Sequence, residues 1–70
     1  MKYAVIYEKT STGYSAYFPD LPGCVAAGSS LEETTRLIKG AMEMHLQSMM
    51  EDGDPIPAPT TVADNIALPA

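Results

Sequence analysis

The stretch Tyr17-Phe18-Pro19-Asp20-Leu21-Pro22-Gly23-Cys24, followed closely by Gly28-Ser29-Ser30-Leu31-Glu32-Glu33, decides how this chain folds. It reads as the end of a strand, a rigid turn, a short strand and the capped start of a helix. Pro19 cannot donate to a sheet ladder and so ends the strand before it. Pro22 and Gly23 fix the turn by their own backbone preferences. Ser30 is a helix N-cap, and Glu33, three residues on, completes a capping box. The junction carries no nucleophile, ligand cluster or phosphate loop, so it points to recognition and not to catalysis.

Outward from that stretch the pattern is consistent. Residues 2–8 are aromatic and branched, as suits a pleated strand. Alternation puts Tyr3, Val5 and Tyr7 on one face, Ala4 and Ile6 on the other. Both faces are partly apolar, so this strand is central in its sheet or its outer face meets another chain. Residues 9–13 form a polar turn ending in glycine, and residues 14–18 return as a second strand with Tyr14, Ala16 and Phe18 on one face. Residues 24–27 form a third strand. The helix runs to about Asp52, stopped by Gly53 with Pro55 beyond. At 100° per residue Leu31, Thr34, Leu37, Ile38, Ala41, Met42, His45 and Met49 share the core-facing stripe. Arg36, Lys39, Glu43 and Gln47 lie opposite. Residues 54–59 alternate proline and favour an extended polyproline path. Residues 60–70 have weak strand character and serve as an edge strand, a docking segment or a frayed tail. The expected class is α+β, a small antiparallel sheet of three strands with room for a fourth and one helix packed on one face.

Seventy residues make one domain that buries only about 60% of its unfolded surface. Such scaffolds need a staple. One cysteine and one histidine exclude an internal disulfide and an ordinary structural zinc site, which leaves oligomerisation or a protein partner. The net charge of -5 and the scatter of Lys2, Lys9, Arg36 and Lys39 argue against nucleic-acid binding. An acidic surface favours a basic partner. No apolar run suits a membrane span or secretory signal, so a cytoplasmic protein is expected.

The succession of motifs resembles the N-terminal domain of the HicB-like antitoxin family. The matching elements are the opening Met1-Lys2-Tyr3, Phe18 to Cys24, Gly28 before the cap, and Leu31-Glu32-Glu33. They continue in the helix segment Ala41 to Leu46 and in Asp52-Gly53-Asp54-Pro55-Ile56-Pro57-Ala58-Pro59. The match covers residues 1–60, leaving 61–70 as a C-terminal extension. The resemblance implies a partial ribonuclease H-like fold and a type II toxin–antitoxin system. Its partner would be a HicA-like toxin, a small basic ribonuclease whose active site the antitoxin covers. Many relatives continue into a DNA-binding module, for which residues 60–70 have neither charge nor length, so promoter binding is not expected of this chain alone.

A ribonuclease H-like ancestry invites a search for metal-binding carboxylates, but Glu8, Asp20, Glu32 and Glu33 do not present the convergent set that two-metal nucleases use. No metal, cofactor or catalytic residue is expected. His45 and Cys24 are read as buried structural side chains. Candidate partner contacts are Asp20, Leu21 and Pro22 in the turn, Met44 and Met50 on the helix, and Glu51, Asp52 and Asp54 at its end. Met44 and Met50 lie off the core stripe, and methionine adapts to irregular surfaces. The three acids sit where the helix dipole disfavours negative charge. Self-association, as a dimer or tetramer, is expected. A stand-alone oligomeric scaffold or regulatory subunit without a toxin partner is the second reading.

Overall fold

The computed structural model describes residues 1–69. Three strands, β1 (Ile6–Lys9), β2 (Tyr14–Tyr17) and β3 (Val25–Gly28), form one antiparallel sheet in the order β1-β2-β3, and a single helix, α1 (Leu31–Asp52), follows. The α+β class and the helix limits agree with the sequence expectation. β1 is shorter than the apolar run suggested. Ile6 pairs with Tyr17, and continuing that register would set Ala4 against Pro19, which has no N–H to offer. Residues 2–5 therefore extend past the ladder.

The proline turn is held by its own backbone. Leu21 N–H donates to Phe18 O at 3.1 Å, Cys24 N–H to Leu21 O at 3.1 Å and Phe18 N–H to Cys24 O at 3.4 Å. Gly23 takes φ 85°, a left-handed value that favours glycine. This winding turns Leu21 inward, where it is 0% exposed and packs with Ala16, Phe18, Cys24 and Ile38. The expectation that Leu21 is a surface contact is therefore corrected: an apolar side chain between two prolines in this turn points into the core.

The helix start follows the sequence reading with one change. Ser30 Oγ accepts the Glu33 N–H at 3.1 Å, as an N-cap should. The Glu33 carboxylate reaches one residue further back than a capping box requires and accepts the N–H and hydroxyl of Ser29 at 2.7 and 3.2 Å. At the other end Gly53 has φ 72°; its N–H meets Met50 O at 3.2 Å, and the Asp54 N–H meets Met49 O at 2.9 Å. These two bonds close the helix as a Schellman motif.

α1 lies over β2 and β3 and leaves β1 uncovered. Thr34 is fully buried; its hydroxyl lies 2.7 Å from Ser30 O and 3.4 Å from Tyr14 O. A Cβ on Gly28 would stand 2.8 Å from that hydroxyl, so glycine here lets the helix press against β3. Ile38, 1% exposed, is the centre of the stripe. Leu31 and Leu37, expected in the core, remain 47% and 44% exposed at its margins, while Leu46 packs on the core instead. The helix sits over β2 and β3, so the margin bearing Leu37 overhangs the sheet and the margin bearing Leu46 faces β1.

Residues 54–69 carry neither helix nor strand. The anticipated fourth strand is not formed among the described residues. The Tyr3 hydroxyl donates to Pro57 O and pins the proline segment to the stretch that leads into β1. Beyond it Val62, Ile66 and Leu68 are 91%, 92% and 89% exposed.

Candidate functional site

Asp20 is committed within the molecule. Its carboxylate accepts the N–H groups of Thr60 and Thr61, each at 2.9 Å, and their hydroxyls at 3.0 and 2.8 Å. The Thr61 N–H, and next the Thr61 hydroxyl, hold the carboxyl below its usual range; desolvation opposes this, and Thr60 adds to the lowering. Asp20 therefore ties the C-terminal segment to the turn, which the sequence did not foresee. Thr60 and Thr61 gave no local signal because the bond spans 40 residues. Hydrogen bonding to the charged form lowers a carboxyl pKa, so the tie is strongest when Asp20 is ionised. The pH dependence follows: the contribution is fully present above the unfolded carboxylate value of about 3.9 and is lost as pH falls through that value toward the lowered folded one. Measured against the intrinsic exchange rate at each pH, we expect protection of the Thr60 and Thr61 amides at neutral pH, its loss in strong acid, and no protection at any pH in Asp20→Ala. Equal protection of wild type and variant at pH 7 would show that the tie does not form.

The exposed candidates gather at the far end of α1, where the one side-chain hydrogen bond they make among the described residues is local, from Gln47 Nε2 to Glu51 at 3.3 Å. Met50 is 67% exposed, and Glu51, Asp52 and Asp54 are all at the surface. From Gly40 onward every Asp, Glu, Lys or Arg is acidic: Glu43, Glu51, Asp52, Asp54 and Asp64. The last turn of α1 holds no basic residue. Its free carbonyls and these carboxylates thus reinforce one another as a negative end. Met44, 73% exposed, lies on the opposite flank of the helix from Met50. Pro22 is exposed in the turn, away from the helix's own sequence, and its neighbours Asp20 and Leu21 are occupied internally.

Beside the acidic end an apolar groove of about 550 Å³ opens between β1 and α1. Tyr3, Val5, Phe18, Met42, Leu46 and Ile56 line it, with Lys2 and Lys39 also on its wall. It exists because the helix does not cover β1. The alternation of Tyr3, Val5 and Tyr7 was visible in the sequence, but the lateral offset of the helix was not. The Tyr7 hydroxyl and Thr35 Oγ1, 2.9 Å apart, bridge the two walls.

Two other side chains carry chemistry of their own, Cys24 and His45. Cys24 is 3% exposed, and burial pushes its thiol pKa up, away from the thiolate that reacts. His45 is half-buried on α1. Among the described residues no group of three or more His, Cys, Asp or Glu side chains is placed to hold a metal ion. Among the described residues no helix is long and apolar enough to cross a membrane.

Comparison with known proteins places this geometry. Residues 3–70 match a family described as the HicB-like antitoxin of bacterial toxin-antitoxin system. An uncharacterized 14.9 kDa protein of Haemophilus phage HP1 is 35% identical over 99% of this chain and 52% of its own length. Antitoxin HicB 2 of Photorhabdus laumondii is 33% identical over 87% of this chain and 44% of its own length. The chain thus spans about half the length of these relatives. A solved structure described as the HicA3 and HicB3 toxin-antitoxin complex aligns with a TM-score of 0.73 and 32% identity, covering 86% of this chain and 70% of that one.

Proposed function

Because this chain belongs to the HicB-like antitoxin family of bacterial toxin-antitoxin systems, we propose that it binds a small basic HicA-like ribonuclease and silences it by covering its RNA-cleaving surface, performing no catalysis itself. The observation that carries this reading is the acidic end of α1 beside an apolar groove. Met50 and the groove supply apolar anchors, and Glu43, Glu51, Asp52 and Asp54 supply a negative rim. Interfaces of this composition gain affinity from desolvated apolar centres, while the charged rim governs encounter rate and register. A ribonuclease must present cations to phosphates, so a negative rim competes for the surface that RNA would occupy. The likeness to a chain in a toxin–antitoxin complex supports the same partner class. The turn is the weaker contact candidate, since only Pro22 remains free there. Direct nucleic-acid binding is not part of the proposal, because the chain has four cations against nine acids. The setting is the cytoplasm, where RNA is the toxin's target.

Co-expression tests the reading. The chain is expected to restore growth to cells making a HicA-like toxin, and the charge-reversing set Glu51→Lys, Asp52→Lys and Asp54→Lys to restore it poorly while staying folded. Undiminished toxicity in the presence of well-expressed wild-type chain would sink the proposal.

A further inference from the structure

The hydroxyls on the walls of the groove between β1 and α1 have already committed their protons. The Tyr3 hydroxyl donates to Pro57 O. Thr35 Oγ1 donates to Leu31 O at 2.8 Å, so its contact with the Tyr7 hydroxyl at 2.9 Å takes up the Tyr7 proton. The other lining side chains are apolar, except Lys2 and Lys39. The charge balance here is the reverse of the molecule's. Acids outnumber cations nine to four in the chain, yet among the described residues no Asp or Glu lines this groove and two of the four cations do. Both lysines are exposed, Lys2 in the stretch that leads into β1 and Lys39 on α1. Glu43, the acid nearest to Lys39 along α1, does not reach the lining.

This wall chemistry selects among ligands. A peptide segment or a sugar brings many polar groups, and each one buried without a partner costs free energy. The groove's side chains have only two ammonium groups to give them. A ligand with an apolar body and a single anion suits both the apolar walls and the lysines. The volume of about 550 Å³ falls in the range of about 300–1,000 Å³ usual for small-molecule sites. From Thr35 to Leu46 the helix wall rises roughly 16 Å, so the groove suits an extended body more than a compact ring system. Ile38 and Phe18, both buried, form its floor.

We propose that the groove binds a free medium-chain fatty acid, with the alkyl chain laid between β1 and α1 and the carboxylate at the rim that carries Lys2 and Lys39. Burial of methylenes supplies the affinity, and the lysines set the sign of the head group. This binding stands on the groove alone and needs no toxin. A toxin anchored in the same groove competes with the acid, whereas the acidic end of α1 takes no part in holding it.

Calorimetric titration of the full chain with dodecanoate, below its micelle concentration, tests the proposal. Saturable binding at one acid per chain is expected, tightening about fourfold for each methylene from octanoate to dodecanoate. Amide NMR shifts should move at Tyr3, Val5, Met42 and Leu46. An exposed ion pair contributes up to about fivefold in affinity, so Lys2→Glu with Lys39→Glu is expected to weaken binding about tenfold while keeping the circular dichroism of wild type. Lys9→Glu with Arg36→Glu changes the net charge equally, away from the groove, and is expected to leave binding unchanged. Dodecyltrimethylammonium should bind more weakly than dodecanoate. The proposal is overturned if dodecanoate shows no saturable binding, if the cationic analogue binds as tightly, or if both pairs of substitutions cause the same loss. None of these results bears on toxin neutralisation, which the co-expression assay reads separately.

Discussion

Replacing Ile38 with alanine is expected to remove about 2–5 kcal/mol of stability, the cost of deleting a buried branched side chain and leaving a cavity. Ile38 is 1% exposed and is the helix residue that meets Ala16, Phe18, Leu21 and Cys24 together. A chain of this size holds roughly 4–10 kcal/mol in all, so the variant should be partly or wholly unfolded in buffer. Leu37→Ala is the control. That side chain is 44% exposed, and its loss should cost roughly 1 kcal/mol or less. Urea unfolding separates the two, because the midpoint of a small domain moves about 1 M for each kcal/mol. Equal midpoints for the two variants would show that α1 does not sit on the sheet as described.

The second large effect is expected at Leu21. Its side chain is wholly buried although it lies in a loop flanked by prolines. Leu21→Ala should cost about 2–5 kcal/mol, whereas Pro22→Ala, at an exposed neighbour, should stay below about 1 kcal/mol. The loss would spread further than a cavity. Leu21 both donates to Phe18 O and accepts from Cys24 N–H, so its packing holds the turn that presents Asp20 to Thr60 and Thr61. Amide exchange at Thr60 and Thr61 should therefore quicken in Leu21→Ala. A near-neutral Leu21→Ala would return that residue to the surface.

The contrast between Ile38 and Leu21 shows what the sequence could and could not carry. Local rules fixed α1 closely. Ser30 and Gly53 are end signals that act through their own backbone and nearest neighbours, and both ends fall where those rules put them. Alternation also grouped Tyr3, Val5 and Tyr7 on one face without saying which face lies inward; the structure packs that face on the core. Properties set by tertiary placement were not legible. Periodicity defines a stripe on a helix but not which margin of it lies over the sheet, so Leu37 and Leu46 exchanged roles. A leucine between an aspartate and a proline has no periodicity at all, and only the winding of the turn sends Leu21 inward. Asp20 looked like a free surface acid because its partners lie 40 and 41 residues away. Of the surface candidates, Met50, Glu51, Asp52 and Asp54 converge at one end of α1, because four residues at a helix end stay neighbours whatever the rest of the chain does. The groove beside them depends on the helix leaving β1 bare.

The central claim is inhibition by occlusion, and a titration of RNA cleavage tests it most directly. A fixed amount of purified HicA-like toxin is mixed with increasing amounts of this chain, and cleavage of a labelled RNA is followed. The account predicts that cleavage falls in proportion to added chain and reaches background at a fixed stoichiometric ratio, and that the silent mixture elutes as one complex. Cleavage that continues at full rate when the toxin is saturated with this chain would contradict it.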